Sequence, residues 1–302
     1  MTEPIPGQAC GAHYFTSGIA IAVSEVNPSP HSQHPYDLTG VEHCHDFSEL
    51  VLITAGSTVH HLDGEAFPVS AGDLFLIQGK VRHHFAERAK VGMLNVQFDP
   101  EQLALPFASL RQMPGYHVIF HLEPARPNRA GADRLRLEKE KLIHAEELIR
   151  RLQRELHDRA PGFEAAALAL LVELIVFVAR SYAERPGGSR AALLRIGEVI
   201  SRIERDYARP LTLKDLAATV HVSPNHLLRL FKAATGVTPG DYLFGIRLDR
   251  AARQLRESDR AISEIAAAVG FADSNYFTRR FRARFGQSPR EYRRRVAATQ
   301  TQ

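Results

Sequence analysis

The sequence predicts an α+β chain: an N-terminal β-barrel of the closed-sheet or jelly-roll kind, a helical middle segment, and a C-terminal all-α domain with two helix-turn-helix units. Three observations carry this. Between residues 40 and 98, short β-prone runs alternate with glycine turns, the pattern of a closed sheet. Residues 133–159 and 165–182 carry apolar residues at helical spacing. From Leu211 onward a helix-turn-helix pattern occurs twice.

The repeat is the most specific feature. Leu213, Asp215, Leu216, Ala217, Ala218 and Val220 are echoed 49 residues later by Ile262, Glu264, Ile265, Ala266, Ala267 and Val269. After one inserted residue the offset is 50: Ser223, Leu227, Phe231, Gly236, Pro239 and Tyr242 return as Asp273, Phe277, Phe281, Gly286, Pro289 and Tyr292. In SPNHLLRLF (223–231), Ser223 reads as an N-cap and Pro224 as the first helical residue. Leu227, Leu230 and Phe231, with Phe277 and Phe281 in the second copy, read as core. The opposite face carries Asn225, Leu228, Arg229 and Lys232. Two short helices around a tight turn, the second with an exposed polar face, form a helix-turn-helix. A connecting helix over about 240–257 is expected, long enough to set the second helices of the two units roughly 34 Å apart, one turn of B-DNA.

Residues 191–295 closely resemble the AraC/XylS family of bacterial transcription regulators, and IAAAVGFADSNYFTRRFRARFGQSPREYRR (265–294) is similar to its signature along the whole length. The resemblance implies double-stranded DNA as partner. It implies base contacts from Asn225, Leu228 and Arg229 on the first reading helix, and from Ser274, Asn275, Thr278 and Arg279 on the second. Arginine forks onto guanine and asparagine onto adenine. Lys232, Arg282 and Arg284, a turn further on, suit phosphate contacts. The family also implies a homodimer, a small-molecule effector and, for an activator, contact with RNA polymerase.

Charge is divided accordingly. The chain of 302 residues has 38 Lys+Arg and 34 Asp+Glu, but residues 191–302 hold 20 and 11 of these, a net +9, against −5 for the rest. A basic module beside an acidic one suits a nucleic-acid reader with a separate sensor. With 44% hydrophobic and 24% charged residues the chain is globular. Two cysteines, Cys10 and Cys44, make no disulfide framework, and MTEPIPGQAC lacks a signal pattern, so a cytoplasmic location is expected. The run at 165–182 is interrupted by Glu173 and Arg180 and falls short of a membrane span.

In the first half, SELVLI (48–53) and STVHHL (57–62) are β-prone runs parted by Ala55-Gly56. Asp63-Gly64 is a hairpin signal, Ala71-Gly72-Asp73 a turn, and VGMLNVQF (91–98) a further strand. His43 and His45, two apart on an extended run, share one face and put Cys44 on the other; Glu49 has the same parity. His43, His45, Glu49, Gly56, Gly72 and His83 resemble the cupin motifs in order and spacing. Gln78 and Lys80 stand where that pattern has proline and glycine, Glu87 where it often has asparagine, and Gly40 is too close to His43. The resemblance implies an effector pocket of His43, His45, Glu49 and His83. No cofactor is required by this reading. Three histidines and a carboxylate also suit a divalent metal such as Zn²⁺, Ni²⁺, Mn²⁺ or Fe²⁺, and hydrogen bonding among themselves or to a polar ligand is the other reading. His60, His61 and His84 are read as surface or strand residues. Residues 1–20 are a frayed end by composition; the resemblance makes them an arm that folds over the pocket.

GYHVIFHLEP (115–124) is expected to add a last strand. It and the stretch around His43–Phe85 are similar to rhamnose-responsive members of the family, which implies a sugar effector such as rhamnose. A helix is expected from Asp133 to about Arg159, with Leu135, Leu142, Ile149 and Leu156 every seven residues as a seam, either between subunits or within the chain. Glu184–Ser189 reads as linker. The domains are then 1–125 for effector binding, 131–185 for dimerisation and 191–298 for DNA. The expected function is a sugar-responsive activator rather than an enzyme. Two alternatives stand beside it: a cupin-type metal-dependent isomerase or dioxygenase fused to a DNA-binding domain, and a DNA-binding module whose barrel only holds the dimer.

Overall fold

The computed structural model describes residues 8–9, 14–26, 41–79, 81–87, 90–123, 134–184 and 188–300. The chain divides into two compact units, Met1–Leu194 and Arg195–Gln302.

The first unit has nine described strands: β1 (Gln8–Ala9), β2 (Ile21–Val26), β3 (Cys44–His45), β4 (Ser48–Leu62), β5 (Glu65–Ser70), β6 (Asp73–Gln78), β7 (His83–Phe85), β8 (Val91–Phe98) and β9 (Leu135–Arg136). The main sheet runs β2-β8-β4-β6-β9, and β5 and β7 also pair with β4. β4 is the spine. Its first half pairs with β6 and β8, and its second half pairs with β5 and β7. The register shifts between Ile53 and Ala55, so Ala55-Gly56 bends one long strand instead of ending it. Asp63-Gly64 makes the expected two-residue hairpin, with positive φ at both residues. Val51, Ile53, Phe75, Ile77, Phe85 and Met93 fill the interior.

Two expectations in this unit are overturned. Residues 114–122 form no strand: α1 (Phe107–Leu110) is followed by α2 (Pro114–His117), which runs into a π-helical turn over Val118–Leu122. Val118, Ile119 and Phe120 are locally β-prone, yet they are buried on a helical segment packed against a later helix. A Cβ on Gly115 would stand 2.0 Å from the Ala179 carbonyl oxygen, so the contact admits only glycine. Packing has overridden propensity. The second correction is the start of the next helix. Leu135 lies in β9, and α3 spans Lys139–Asp158, ahead of α4 (Phe163–Ala183). Ala145, Leu148, Ile149 and Leu152 of α3 are buried within the chain, where α3 packs on α4, β2 and β8. The seven-residue seam is therefore largely spent inside the molecule. Among the described residues no helix is long and apolar enough to cross a membrane.

The second unit takes up α5 (Gly188–Asp206) from Arg195 onward, then α6 (Leu213–Thr219), α7 (Pro224–Thr235), α8 (Pro239–Glu257), α9 (Ile262–Ala268), α10 (Ser274–Phe285) and α11 (Pro289–Gln300). The sequence repeat is a structural repeat of three helices. Thr212 and Asp215 form a capping box, Ser223 and Thr238 accept from the third residue of α7 and α8, and Asp273 does the same for α10. Gly236 and Gly286 end α7 and α10. Leu227, Phe231, Phe277 and Phe281 have no exposed surface, while Leu230 is half-buried.

The turn after α9 is tighter than its counterpart. Gly270 has φ +93°, and an added Cβ would lie 2.9 Å from the Ala208 carbonyl oxygen and 3.0 Å from the Arg247 guanidinium. Arg247 is buried and donates to the carbonyls of Tyr207 and Arg209, at 2.7 and 2.9 Å, tying the end of α5 to α8. In the first copy His221 takes the positive φ instead. Gly270→Ala is expected to cost at least about 1–3 kcal/mol, read as a lowered denaturant midpoint; an unchanged midpoint would show that the turn relaxes freely.

Candidate functional site

The pocket is built by one backbone bridge and one strand parity. His43 and His83 exchange N–H···O bonds of 3.0 and 2.8 Å, which sets β7 beside the entry to β3. Alternation along His43-Cys44-His45 sends both imidazoles inward and leaves Cys44 half-buried on the other side. Glu49 follows on β4. All four predicted pocket residues are buried, and the structure brings them together. The His43 and His83 rings lie 4.3 Å apart, and those of His45 and His83 5.2 Å apart. Ligand atoms of His45, Glu49 and His83 all lie within 4.8 Å of one another.

Glu49 is oriented by strand β8. Asn95 and Gln97 donate their side-chain amides to Oε1, at 3.2 and 3.0 Å. Oε2 is left facing His45 Nε2 at 3.6 Å. Burial alone would push this carboxyl up, but the His45 contact and the neighbouring imidazoles outweigh it, and Glu49 is held below the ordinary carboxylate value. Burial holds His83 well below the ordinary imidazole value against the pull of Glu49, and it lowers His43 too, against the bond to the Val41 carbonyl. The site at neutral pH is thus one buried anion with neutral imidazoles at His43 and His83. Among the described residues, both ring nitrogens of His83 and the carbonyl oxygens of Asn95 and Gln97 have no hydrogen-bond partner. Buried acceptors of this kind suit a cation or a ligand rich in hydroxyl donors.

Sequence reading missed four contributors. Asn95 and Gln97 alternate in an otherwise apolar strand, and that parity was the available signal. His60, read as a surface or strand residue, is 1% exposed; it stacks on Phe85 at 4.5 Å and stands edge-on to His83 at 5.7 Å. Its neighbours His61 and His84 do stay on the outer side, stacked on each other at 4.4 Å. Tyr14 packs on Phe47 at 5.0 Å, and burial followed by the charge of Glu49 pushes its phenol up. β1 pairs in parallel with β3, so the N-terminal segment lies against the histidine strand; residues 1–7 and 10–13 lie outside the described residues.

In the second unit, Asn225, Arg229 and Lys232 are exposed on α7, and Ser274, Asn275, Arg279 and Arg282 on α10; Leu228 and Thr278 are half-buried. The two arginines are braced alike by the residue three positions earlier. Arg229 Nη2 lies 3.2 Å from His226 Nδ1, and the Arg279 guanidinium sits 5.7 Å over the Tyr276 ring. Thr278 donates its hydroxyl to the Ser274 carbonyl at 2.9 Å. Arg284 differs from expectation: it forks onto Asp249 of α8 at 2.8 and 2.9 Å, so it secures α10 to the connector.

The neutral, buried imidazoles give a signed pH dependence. His43 and His83 protonate less readily in the folded chain than in the unfolded one. Their contribution to stability is whole above about pH 6.5 and is lost as pH falls below it. Glu49, whose folded value is depressed, adds a further loss below the ordinary carboxylate range. With a chelator present, the unfolding temperature is expected to fall between about pH 7 and 5, and His83→Gln to flatten that fall; a wild-type profile level across the range contradicts the assignment.

Comparison with known proteins fits both halves. Residues 26–175 match the family described as AraC-like ligand binding domain, and residues 216–295 the one described as helix-turn-helix domain. The HTH-type transcriptional activator RhaR of Mannheimia succiniciproducens is 26% identical over 265 residues, covering 88% of this chain and 90% of that protein. The HTH-type transcriptional activator RhaS of Escherichia fergusonii is 30% identical over 253 residues, covering 83% and 87%. A solved AraC-type DNA-binding regulator from Chromobacterium violaceum is 34% identical over 35% of this chain and 96% of its own, with a TM-score of 0.34. With both units matched and the likeness to RhaS running through most of each chain, the protein belongs to the AraC family of helix-turn-helix transcription regulators, with an AraC-like ligand-binding domain ahead of the DNA-binding one.

Proposed function

We propose that the protein is a sugar-responsive transcription activator that acts in the cytoplasm as a homodimer, and that it is a regulator rather than an isomerase or dioxygenase. The observation that carries the reading is the pair of equivalent reading faces, each presenting an exposed arginine braced from three residues earlier. Arg229 and Arg279 serve as base readers, assisted by Asn225, Leu228, Ser274, Asn275 and Thr278, while Lys232 and Arg282 hold phosphates. The relatives named as transcriptional activators support activation, and contact with RNA polymerase follows from it. Arg229→Ala and Arg279→Ala are each expected to cost about 1–3 kcal/mol of specific binding and to relax one half-site, while Lys232→Ala weakens all sequences alike. Binding-site selection with the three variants reads this out, and an unaltered sequence preference in both arginine variants overturns the face assignment.

The effector is placed in the cluster of His43, His45, Glu49 and His83, with rhamnose the first sugar to test. Hydroxyls donate to Glu49 and to the open carbonyl oxygens of Asn95 and Gln97, and imidazole nitrogens accept or donate in turn. The same cluster fits a divalent metal by its donor set and by the unpartnered ring nitrogens of His83. His45, Glu49 and His83 would hold the ion, which would polarise ligand hydroxyls; Asn95 and Gln97 would fix the carboxylate. Elemental analysis, together with rhamnose titration of wild type and His45→Ala, tests both. Stoichiometric metal lost in the variant supports the metal-assisted form, and absence of metal with response abolished supports direct recognition. A full response in His45→Ala and Glu49→Ala removes the cluster from sensing.

The dimer is placed on the outer faces of α3 and α4, because Ile149 is consumed within the chain while Ile143 is 48% exposed. Ile143→Glu is expected to convert dimer to monomer in sedimentation without loss of fold, since a charge does not survive in an apolar seam. An undisturbed dimer moves the interface elsewhere.

A further inference from the structure

The two arginine-bearing faces differ in the residue that stands three positions before each arginine. In α7 it is His226, and Nδ1 of its ring lies 3.2 Å from Arg229 Nη2. In α10 it is Tyr276, whose ring lies 5.7 Å from the Arg279 guanidinium above it. A guanidinium has donors and no acceptor, so Nδ1 of His226 must supply a lone pair. The neutral imidazole then carries its proton on Nε2. A second proton, on Nδ1, removes the acceptor and sets one cation against another. Histidine is the side chain that gains such a proton between about pH 8 and 5, a range in which tyrosine does not change.

His226 is half-buried and third in α7. Its backbone N–H donates to the Ser223 hydroxyl at 3.3 Å, so the helix cap does not use the ring. Among the described residues, the charged group that meets the ring is Arg229. α7 packs on α6 and α8. α6 brings Lys214 and Asp215, and Asp215 is engaged in the Thr212 cap; Asp241, at the start of α8, is engaged by the Thr238 hydroxyl. An arginine forks onto guanine only when its guanidinium plane is correctly turned. A hydrogen bond of fixed direction sets that turn. A ring face attracts a guanidinium without fixing its rotation.

We propose that His226 is a positioning residue for Arg229: its Nδ1 holds the guanidinium in the orientation that reads a base, so the first helix-turn-helix unit discriminates between sequences while this imidazole is neutral and loses discrimination when it is charged. The inference rests on Arg229 being a base reader. The second unit, with tyrosine at the matching place, keeps its discrimination. Acidification therefore shifts recognition from both half-sites of the DNA toward the one read by α10.

Binding-site selection from randomised DNA by the full chain, at about pH 8 and about pH 5.5, tests this. The readout is discrimination at the bases that Arg229→Ala relaxes, and not overall affinity, because an added positive charge strengthens binding to every sequence. At the lower pH, wild-type discrimination there is expected to fall by about 2- to 10-fold, while the half-site relaxed by Arg279→Ala is unchanged. His226→Ala is expected to show the lowered discrimination at both pH values. His226→Asn, whose side-chain oxygen stands where Nδ1 stood, is expected to restore it and to hold it at the lower pH. His221 and His226 are the two histidines of residues 195–302, and His221→Asn is expected to behave as wild type. In every variant the half-site of Arg279 reports that the unit is folded. Wild-type discrimination in His226→Ala overturns the proposal, as does a His226→Asn protein no better than His226→Ala. So does a wild-type ratio that is level with pH, or one that falls equally at both half-sites. If Arg229→Ala relaxes nothing, the base-reader assignment falls and this inference with it. If it relaxes a half-site that the His226 variants leave intact, this inference alone falls.

Discussion

A carboxylate that stays ionised inside an apolar barrel must be solvated by the protein itself, and Glu49 sets this requirement for the first unit. Two amides on β8 satisfy one of its oxygens, so β8 carries Asn95 and Gln97 at alternate positions of a strand that is otherwise a continuous apolar run. The other oxygen is turned toward His45, whose ring is followed by those of His83 and His43. Those imidazoles are in reach because His43 and His83 bridge through their backbones and because strand parity sends His45 the same way as His43. A charge without those amides would cost several kcal/mol and would be relieved by protonation. The site's chemistry, a buried anion beside the neutral imidazoles of His43 and His83, is therefore a property of four strands acting together.

The second unit faces a different problem, which is to hold exposed arginines in place. An arginine on an exposed helix has many rotamers, and a partner three residues earlier narrows them. The two copies use unlike partners, a histidine ring nitrogen for Arg229 and a tyrosine face for Arg279. The second copy is further secured by Arg284 on Asp249 and by Arg280 near Asp241. Arg247 and Gly270 lock the joint between α5, α8 and the turn after α9, and the first copy has no matching glycine in its turn. A duplicated sequence has thus diverged into one tightly tied second helix, α10, and one, α7, held by fewer ion pairs among the described residues.

Much of this was legible in the chain itself. The helix-turn-helix copies could be read because caps, glycine stops and apolar spacing are local signals, and each acts within a few residues. Parity alone put His43, His45 and Glu49 on one face, because a strand alternates whatever it packs against. What failed were segments whose local preference is weak or contrary. Val118–Phe120 are β-prone but became helical because Gly115 permits a contact with the Ala179 backbone that no strand would use. The seven-residue seam was real as a pattern, yet the pattern cannot say which surface it meets, and α4 is the surface it met.

The sequence by itself determined the two-unit division of charge, the repeat, its exposed polar faces, and the placing of His43, His45 and Glu49 on one strand face. Those follow from periodicity and residue type, which are local. Only the tertiary structure decided that His60 is interior, that Asn95 and Gln97 hold Glu49, and that Arg284 serves Asp249. Each of these joins residues tens of positions apart, and such contacts depend on how strands and helices close on one another, which local periodicity does not encode.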